Sequence, residues 1–169
     1  AKAYGELMKH IAEVDREEQT VIMMQVNNEV GAIQPIEAVV KLRDQYCPKA
    51  AIHVDGVQGF LRVPMHFGRL GIQSYAFSGH KIHASKGVGG LILRKGHRVA
   101  PIIFGGGQQK NMRSGTENVP GVAGLAKAAE LVYANMECDI NKMYCLRDYF
   151  ISQIRKMDGV TVNGAEGRK

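Results

Sequence analysis

Residues 21–46, VIMMQVNNEVGAIQPIEAVVKLRDQY, contain the pattern that decides the fold. The run 21–26 is short and largely apolar, which is typical of a parallel strand buried on both faces of a sheet. Polar residues at 27–31 end this run. Pro35 suits the first turn of a helix, and apolar residues then recur at helical spacing as far as Tyr46. The segment therefore predicts a buried strand followed by a helix.

The rest of the chain continues this alternation. Periodicity predicts a helix over residues 3–13 and a helical region over residues 119–156, in two parts that meet near residues 137–141. Strands that alternate with helices are typical of parallel βαβ units. We therefore expect one domain, residues 1–169, built as a three-layer α/β/α sandwich with a mainly parallel sheet. The other predicted segments are strands at 51–54, 74–77, 88–93 and 160–162 and a glycine-rich loop at 104–118.

Composition excludes several classes of function. The chain has 169 residues, of which 45% are hydrophobic and 22% charged, as in ordinary globular proteins. No apolar run approaches the length of a membrane span, and the net charge of +6 is scattered rather than clustered, so we expect neither a membrane nor a nucleic-acid partner. The three cysteines form no CxxC pair and no set with zinc-ligand spacing, which indicates a cytoplasmic protein without a metal site.

Polar clusters follow directly on three of the predicted strands. In sheets with parallel strands, ligands bind outside the carboxyl ends of the strands. We therefore expect the three clusters to share one edge of the sheet. They are Asn27 and Asn28, then Asp55 with Gln58, then Ser78, Gly79, His80 and Lys81.

This combination of side chains fits a site for pyridoxal phosphate. Such a site needs a lysine amine for the aldehyde, a carboxylate that keeps the pyridine nitrogen protonated, and hydroxyl or N–H donors for the phosphate. Taken singly, the same residues have structural interpretations. Asp55 before Gly56 is a common turn pair, both asparagines suit turns, and a lone lysine is usually a solvated surface cation. The remaining histidines are typical of structural positions.

The order and spacing of four motifs resemble the class V aminotransferase group of fold-type I pyridoxal phosphate enzymes, and within it the cysteine desulfurases. The motifs are VNNEVGAIQPI (26–36), HVDGVQ (53–58), FSGHKIHASKGVGGL (77–91) and FGGGQQKNMRSGTENVPGVAGLAKAAE (104–130). They span most of residues 20–130. The resemblance implies that the chain is the central part of the large, pyridoxal phosphate-binding domain.

The resemblance also implies a role for individual residues. Lys81 is similar to the lysine that forms a Schiff base with the cofactor, and Asp55 to the partner of the pyridine nitrogen. Gln58 and Asn28 resemble the residues that contact the phenolic oxygen. The phosphate ligands would be Ser78 and His80, with His80 also beside the catalytic lysine, and Thr116, which would reach the cofactor of a neighbouring subunit. Arg113 would organise the loop that carries Thr116.

Two expectations follow for these residues. A site shared in this way implies a homodimer. For Lys81, we expect a buried amine on a rigid strand end, because a poorly solvated amine is more easily deprotonated.

In the family, the reaction removes sulfur from L-cysteine and yields alanine and an enzyme-bound persulfide. Sulfur-acceptor scaffold proteins then receive the sulfur for iron–sulfur cluster assembly. Three alternatives remain open: another member of the group such as a selenocysteine lyase, a phosphate-binding module, and a non-catalytic remnant. The sequence argues against the phosphate-binding module, since it contains neither GxGxxG nor GxxxxGK[ST].

The chain also departs from the family pattern. Gly56-Val57 stands where the family often has Ala-Thr or Ala-Ala, and HASKG replaces the frequent HGPKG. The family's upstream segment, small domain and persulfide cysteine are not matched, so we expect this chain by itself to be inactive. Cys138 and Cys145 lie seven residues apart on a predicted helix, which indicates a buried structural role rather than catalysis.

Overall fold

The computed structural model describes residues 2–13 and 19–163. The elements that the fold is built from are, in chain order, α1 (Lys2–Glu13), β1 (Thr20–Met24), α2 (Ile36–Tyr46), β2 (Ala51–Asp55), β3 (Ser74–Ser78), β4 (Gly89–Leu93) and α3 (Val119–Ile154). Two short 3-10 turns, Gly79–Ile82 and Gln109–Asn111, follow β3 and precede α3. Most of the predicted strands and helices are confirmed to within two residues at each end.

The four strands form one sheet in the order β1-β2-β3-β4. β1 pairs in parallel with β2, and β2 pairs in parallel with β3, whereas β4 is antiparallel to β3. The predicted α/β fold with a mainly parallel sheet is therefore confirmed. The link from β2 to β3 contains turns and no helix, although the strands that it joins are parallel.

One face of the sheet carries the core. Ile52 and Val54 of β2 are fully buried, and they pack in one cluster with Val39 and Val40 of α2 and Met8 of α1. Burying each such side chain contributes about 1.5–3 kcal/mol. The buried guanidinium of Arg43 joins this core to the loops because it donates to the carbonyl oxygens of Ala50 (2.6 Å) and Gly71 (2.8 Å).

The opposite face of the sheet is only partly covered in the described residues, since its outer strands β1 and β4 carry exposed side chains there. Ile22 of β1 is 72% exposed and Leu91 of β4 is 50% exposed. The expectation that β1 is buried on both faces was wrong. Its burial alternates along the strand, because only the face toward α1 and α2 is covered there.

The C-terminal part of the chain differs from two further predictions. α3 is one continuous helix of 36 residues rather than two segments. Residues 137–141 contain neither glycine nor proline, so nothing in that stretch breaks the helix. Residues 160–162 form no strand, since a strand exists only where it pairs with a neighbour.

Candidate functional site

The carboxyl ends of the three parallel strands lie side by side. Met24 of β1 is the register partner of Asp55, and Asp55 is the partner of Ala76 in β3. The backbone ladder continues one residue further, because the Gln25 amide donates to the Asp55 carbonyl (2.8 Å) and the Gly56 amide donates to the Ala76 carbonyl (2.8 Å). The predicted polar clusters therefore leave the sheet along one edge.

Asp55 is the last residue of β2 and is half-buried at this edge. Its Oδ1 accepts a hydrogen bond from the backbone amide of Val57 at 2.9 Å. Along β2 the buried residues are Ile52 and Val54, so the alternation of side chains directs Asp55 to the face opposite the core. A carboxylate that is held by its own turn at a strand end is well oriented to accept a hydrogen bond from a protonated nitrogen.

Ser78 is the last residue of β3, and His80 and Lys81 lie on the 3-10 turn Gly79–Ile82 that follows it. The Ser78 hydroxyl lies 2.8 Å from Nδ1 of His80, so the two polar groups form a local pair. His83 ends the turn with a left-handed backbone, φ 69°. The turn thus presents a hydroxyl, an imidazole and an amine within four residues of the strand end.

The surroundings of Lys81 correct one expectation. Lys81 is half-buried rather than buried, and it lies on the 3-10 turn three residues beyond the end of β3. The turn is held from outside the strand, because Nη2 of Arg62 donates to the Lys81 carbonyl oxygen. Orientation of the lysine therefore depends on a second loop as well as on the sheet.

Asn28 and Gln58 lie on the first loops beyond β1 and β2. Asn28 is exposed in a turn that Asn27 organises, since Oδ1 of Asn27 accepts from the amides of Glu29 and Val30, both at 2.9 Å. Gln58 is half-buried in the turn that begins at Gly56. Both loops leave the sheet at the carboxyl ends of the parallel strands.

The predicted glycine-rich loop, residues 104–118, is irregular and mostly exposed. Thr116 lies in its exposed part, shortly before the start of α3. Arg113 makes a local contact in this part of the loop, since its Nη1 donates to the Gly115 carbonyl at 2.9 Å. Three successive residues, 109–111, have left-handed backbone angles of 49°, 57° and 64° in φ. Each non-glycine residue in that conformation costs about 1–2 kcal/mol.

The other lysines near Lys81 in the sequence are placed differently. β4 runs antiparallel to β3, with Gly89 beside Ser78 and Leu93 beside Ser74. Lys95 follows Leu93 and so lies at the opposite edge of the sheet, as the sequence predicted. Lys86 is exposed in the loop between Lys81 and β4.

Sequence reasoning missed the buried residues that pack next to this edge of the sheet. Tyr75 of β3 is buried, and its hydroxyl donates to Oε1 of Gln25 at 2.8 Å. The pKa of the Tyr75 hydroxyl is raised above its ordinary range, mainly because the group is buried. The negative charge of Asp55 raises this pKa further. The sequence held one indication of this packing, because Gly56 stands where the resembling family often has alanine.

Some functional features are absent from the described residues. Within residues 2–13 and 19–163, no group of three or more His, Cys, Asp or Glu side chains could hold a metal ion. No helix in this part of the chain is long and apolar enough to cross a membrane. Cys138 and Cys145 are exposed on α3, which corrects the expectation that they are buried, whereas Cys47 is buried at the end of α2.

Curated relatives of this chain are cysteine desulfurases. It is 39% identical over 150 residues to the cysteine desulfurase IscS of Dictyoglomus turgidum, covering 88% of this chain and 38% of that protein. It is 42% identical over 145 residues to a cysteine desulfurase of Nostoc, covering 85% of this chain and 36% of the relative. The chain thus spans less than two fifths of the length of these relatives.

Solved structures agree with these relatives. A NifS-like protein from Rickettsia africae superimposes with a TM-score of 0.88 at 34% identity, covering 94% of this chain and 43% of that structure. Another NifS-like protein has a TM-score of 0.86 at 35% identity, covering 95% of this chain and 43% of the other. The sequence profile of the family Aminotransferase class-V matches residues 3–169. The chain therefore belongs to the class V aminotransferase family.

Proposed function

We propose that this chain is the central part of the large domain of a pyridoxal phosphate-dependent cysteine desulfurase. The observation that carries the proposal is the register of the sheet, which sets Asp55 beside the end of β1 and beside β3. The carboxylate, the Ser78–His80 pair and the Lys81 amine consequently leave the sheet at one edge. The curated cysteine desulfurases at 39% and 42% identity support the choice of reaction within the family.

The residues at this edge fit pyridoxal phosphate by their chemistry. Asp55 supplies a carboxylate that is half-buried and already oriented by the Val57 amide. Ser78 and His80 supply a hydroxyl and an imidazole that suit a phosphate, and Lys81 supplies an amine for the aldehyde. Gln58 and Asn28 supply amide donors for the phenolic oxygen. Thr116 would contribute to the phosphate site of a second subunit.

The chain's own residues would bind and move protons in this reaction. When bound, the cofactor supplies an electron-accepting ring that stabilises negative charge at the substrate Cα. The Asp55 carboxylate would hold the proton on the ring nitrogen, and Nζ of Lys81, as a free amine, would take the proton from the substrate Cα. His80 would hold a proton at its imidazole beside Lys81. We assign no sulfur-accepting thiol among Cys47, Cys138 and Cys145.

We further propose that the protein works as a cytoplasmic homodimer. Cys47 and Cys138 form no disulfide, which supports a reducing compartment. The exposed loop 104–118, with Phe104 at 79% exposure beside Ile102 at 87%, supports a subunit contact through this loop. Substrate L-cysteine and sulfur-acceptor scaffold proteins are the partners that this function requires. A selenocysteine lyase is the alternative within the family.

Borohydride reduction tests the proposal. The chain is incubated with pyridoxal phosphate, reduced and mapped by peptide mass analysis, alongside Lys81→Ala and the control variants Lys86→Ala and Lys95→Ala. We expect a label on Lys81, lost in Lys81→Ala and kept in both controls. The yellow colour of the unreduced protein should weaken in Asp55→Ala. A label on Lys86 or Lys95 with Lys81 unmodified would refute the site, and no label at all would favour a non-catalytic remnant.

A further inference from the structure

A buried hydrogen-bonded pair lies below the edge that carries the candidate site. Tyr75 is 4% exposed and Gln25 is 2% exposed, and the Tyr75 hydroxyl donates to Oε1 of Gln25 at 2.8 Å. These residues are 50 positions apart in the chain. Removing one partner of such a buried bond leaves the other buried and unsatisfied, which destabilises the local structure.

Gln25 extends this pair to the end of β2 and to the loop beyond it. Its Nε2 donates to the Val63 carbonyl at 3.2 Å, and its backbone amide donates to the Asp55 carbonyl at 2.8 Å. Both ends of the Gln25 side-chain amide are therefore used. One residue at the end of β1 thus contacts β3, the end of β2 and the end of the loop.

The loop 56–63 is packed tightly on this pair. A Cβ at Gly56 would lie 1.9 Å from Cζ of Tyr75, and a Cβ at Gly59 would lie 2.1 Å from Oε1 of Gln25. Real Cβ atoms do not approach other atoms so closely, so the loop backbone has no room to shift toward the pair. The position of the loop is consequently set by two buried side chains.

This loop connects the candidate functional groups. It begins at Asp55, whose Oδ1 accepts from the Val57 amide, and it carries Gln58. Near its other end, Arg62 donates to the carbonyl oxygen of Lys81. A displacement of the loop would therefore change the orientation of the carboxylate, the amide and the lysine turn together.

We propose that Tyr75 and Gln25 are positioning residues for the cofactor site. They hold the loop 56–63 against the sheet and so orient the Asp55 carboxylate and the Gln58 amide. The importance of that orientation rests on the proposed function, in which Asp55 binds the pyridine nitrogen. The pair itself contacts no reacting atom in this assignment.

The experiment compares Tyr75→Phe and Gln25→Leu with the control Tyr46→Phe, which removes a hydroxyl from a ring packed against the same core. Hydrogen exchange of the Val57 amide, measured without cofactor, reports the bond to Asp55. The Ile52 amide, buried in β2, reports general loosening. We expect each test variant to speed exchange at Val57 about tenfold more than at Ile52, and Tyr46→Phe to change both amides equally.

Absorbance titration with pyridoxal phosphate supplies a second measurement. We expect affinity to fall about tenfold in Tyr75→Phe and in Gln25→Leu, but not in Tyr46→Phe. If the unaltered chain takes up no cofactor while Val57 exchange still responds selectively, the positioning of Asp55 stands and the proposed function fails. Equal acceleration at Val57 and Ile52 would overturn the proposal, because it shows a merely structural role. Unchanged affinity in both test variants would also overturn it.

Discussion

The ring of Tyr75 fills the space that a side chain at residue 56 would need. An ideal Cβ at Gly56 would lie 1.9 Å from Cζ and 2.1 Å from the hydroxyl oxygen of Tyr75. Tyr75 belongs to β3, whereas Gly56 is the first residue after β2, and the two are 19 positions apart in the chain. Glycine at this position, where the resembling family often has alanine, is therefore explained by the large buried ring beside it.

Gly56→Ala should destabilise the protein by about 1–3 kcal/mol, because overpacking forces the ring or the backbone to move. Tyr75→Leu should remove the clash, so the double variant should lose less stability than the sum of the two single variants. Urea unfolding of the four proteins measures this coupling. Gly68→Ala is the control, because a Cβ there meets no atom within 4 Å. Strict additivity in the cycle would contradict the contact.

Leu61 has a left-handed backbone, φ 56°, within the loop 56–63. Glycine adopts this conformation without steric cost, whereas alanine pays about 1–2 kcal/mol. Leu61→Gly should therefore be more stable than Leu61→Ala by about 1 kcal/mol, which reverses the usual order. Thermal or urea unfolding tests the order. Ala38→Gly in α2 is the control. There glycine should be the less stable residue, and the free energy of unfolding should fall by about 1 kcal/mol. Alanine as the more stable residue at position 61 would show that the backbone there is not left-handed.

Alkaline pH should destabilise the protein in part through Tyr75. The pKa of its hydroxyl is raised in the folded state by burial and by the charge of Asp55. A raised folded-state pKa contributes stability that is fully present below the unfolded-state value of about 10 and is lost as the pH rises beyond it. The free energy of unfolding should therefore fall above a pH of about 10. The fall should be steeper than in Tyr75→Phe by up to about 1.4 kcal/mol per pH unit.

Urea unfolding at several pH values on both sides of the ordinary tyrosine pKa measures this slope. Tyr46→Phe serves as the control and should keep the slope of the unaltered protein. The buried thiol of Cys47, whose pKa is also raised by burial, contributes in the same direction in all three proteins. Equal slopes in the unaltered protein and in Tyr75→Phe would show that Tyr75 ionises equally in the folded and unfolded states.

Residues 1–169, expressed on their own, should show no appreciable release of alanine from L-cysteine. It covers 38% of the length of the Dictyoglomus relative, and catalytic groups that act as a unit lose most of the rate when any one is missing. Alanine formation is measured with added pyridoxal phosphate, and the free cofactor alone is the control. Release above this control that disappears in Lys81→Ala would contradict the prediction.

The sequence alone determined where β2 and β3 end, to within one residue, and the edge on which the polar clusters meet. Asp55 and Ser78 could be placed because each directly follows an apolar run, and parallel strands necessarily bring their carboxyl ends to one edge. The position of Lys95 at the opposite edge could be predicted for the same reason, once β4 was expected to run away from that edge. These conclusions depend only on local periodicity and on the geometry of sheets.

Only the tertiary structure decided what holds that edge in place. The contacts of Tyr75 with Gln25 and Gly56, and of Arg62 with Lys81, join residues that are 50, 19 and 19 positions apart. Periodicity along the chain carries no information about such pairs, because they arise from the packing of whole elements. The same reason explains why Lys81 is half-buried and why Ile22 and Leu91 are exposed on the sheet. Burial depends on which elements cover a surface, and the strand pattern by itself does not specify those elements.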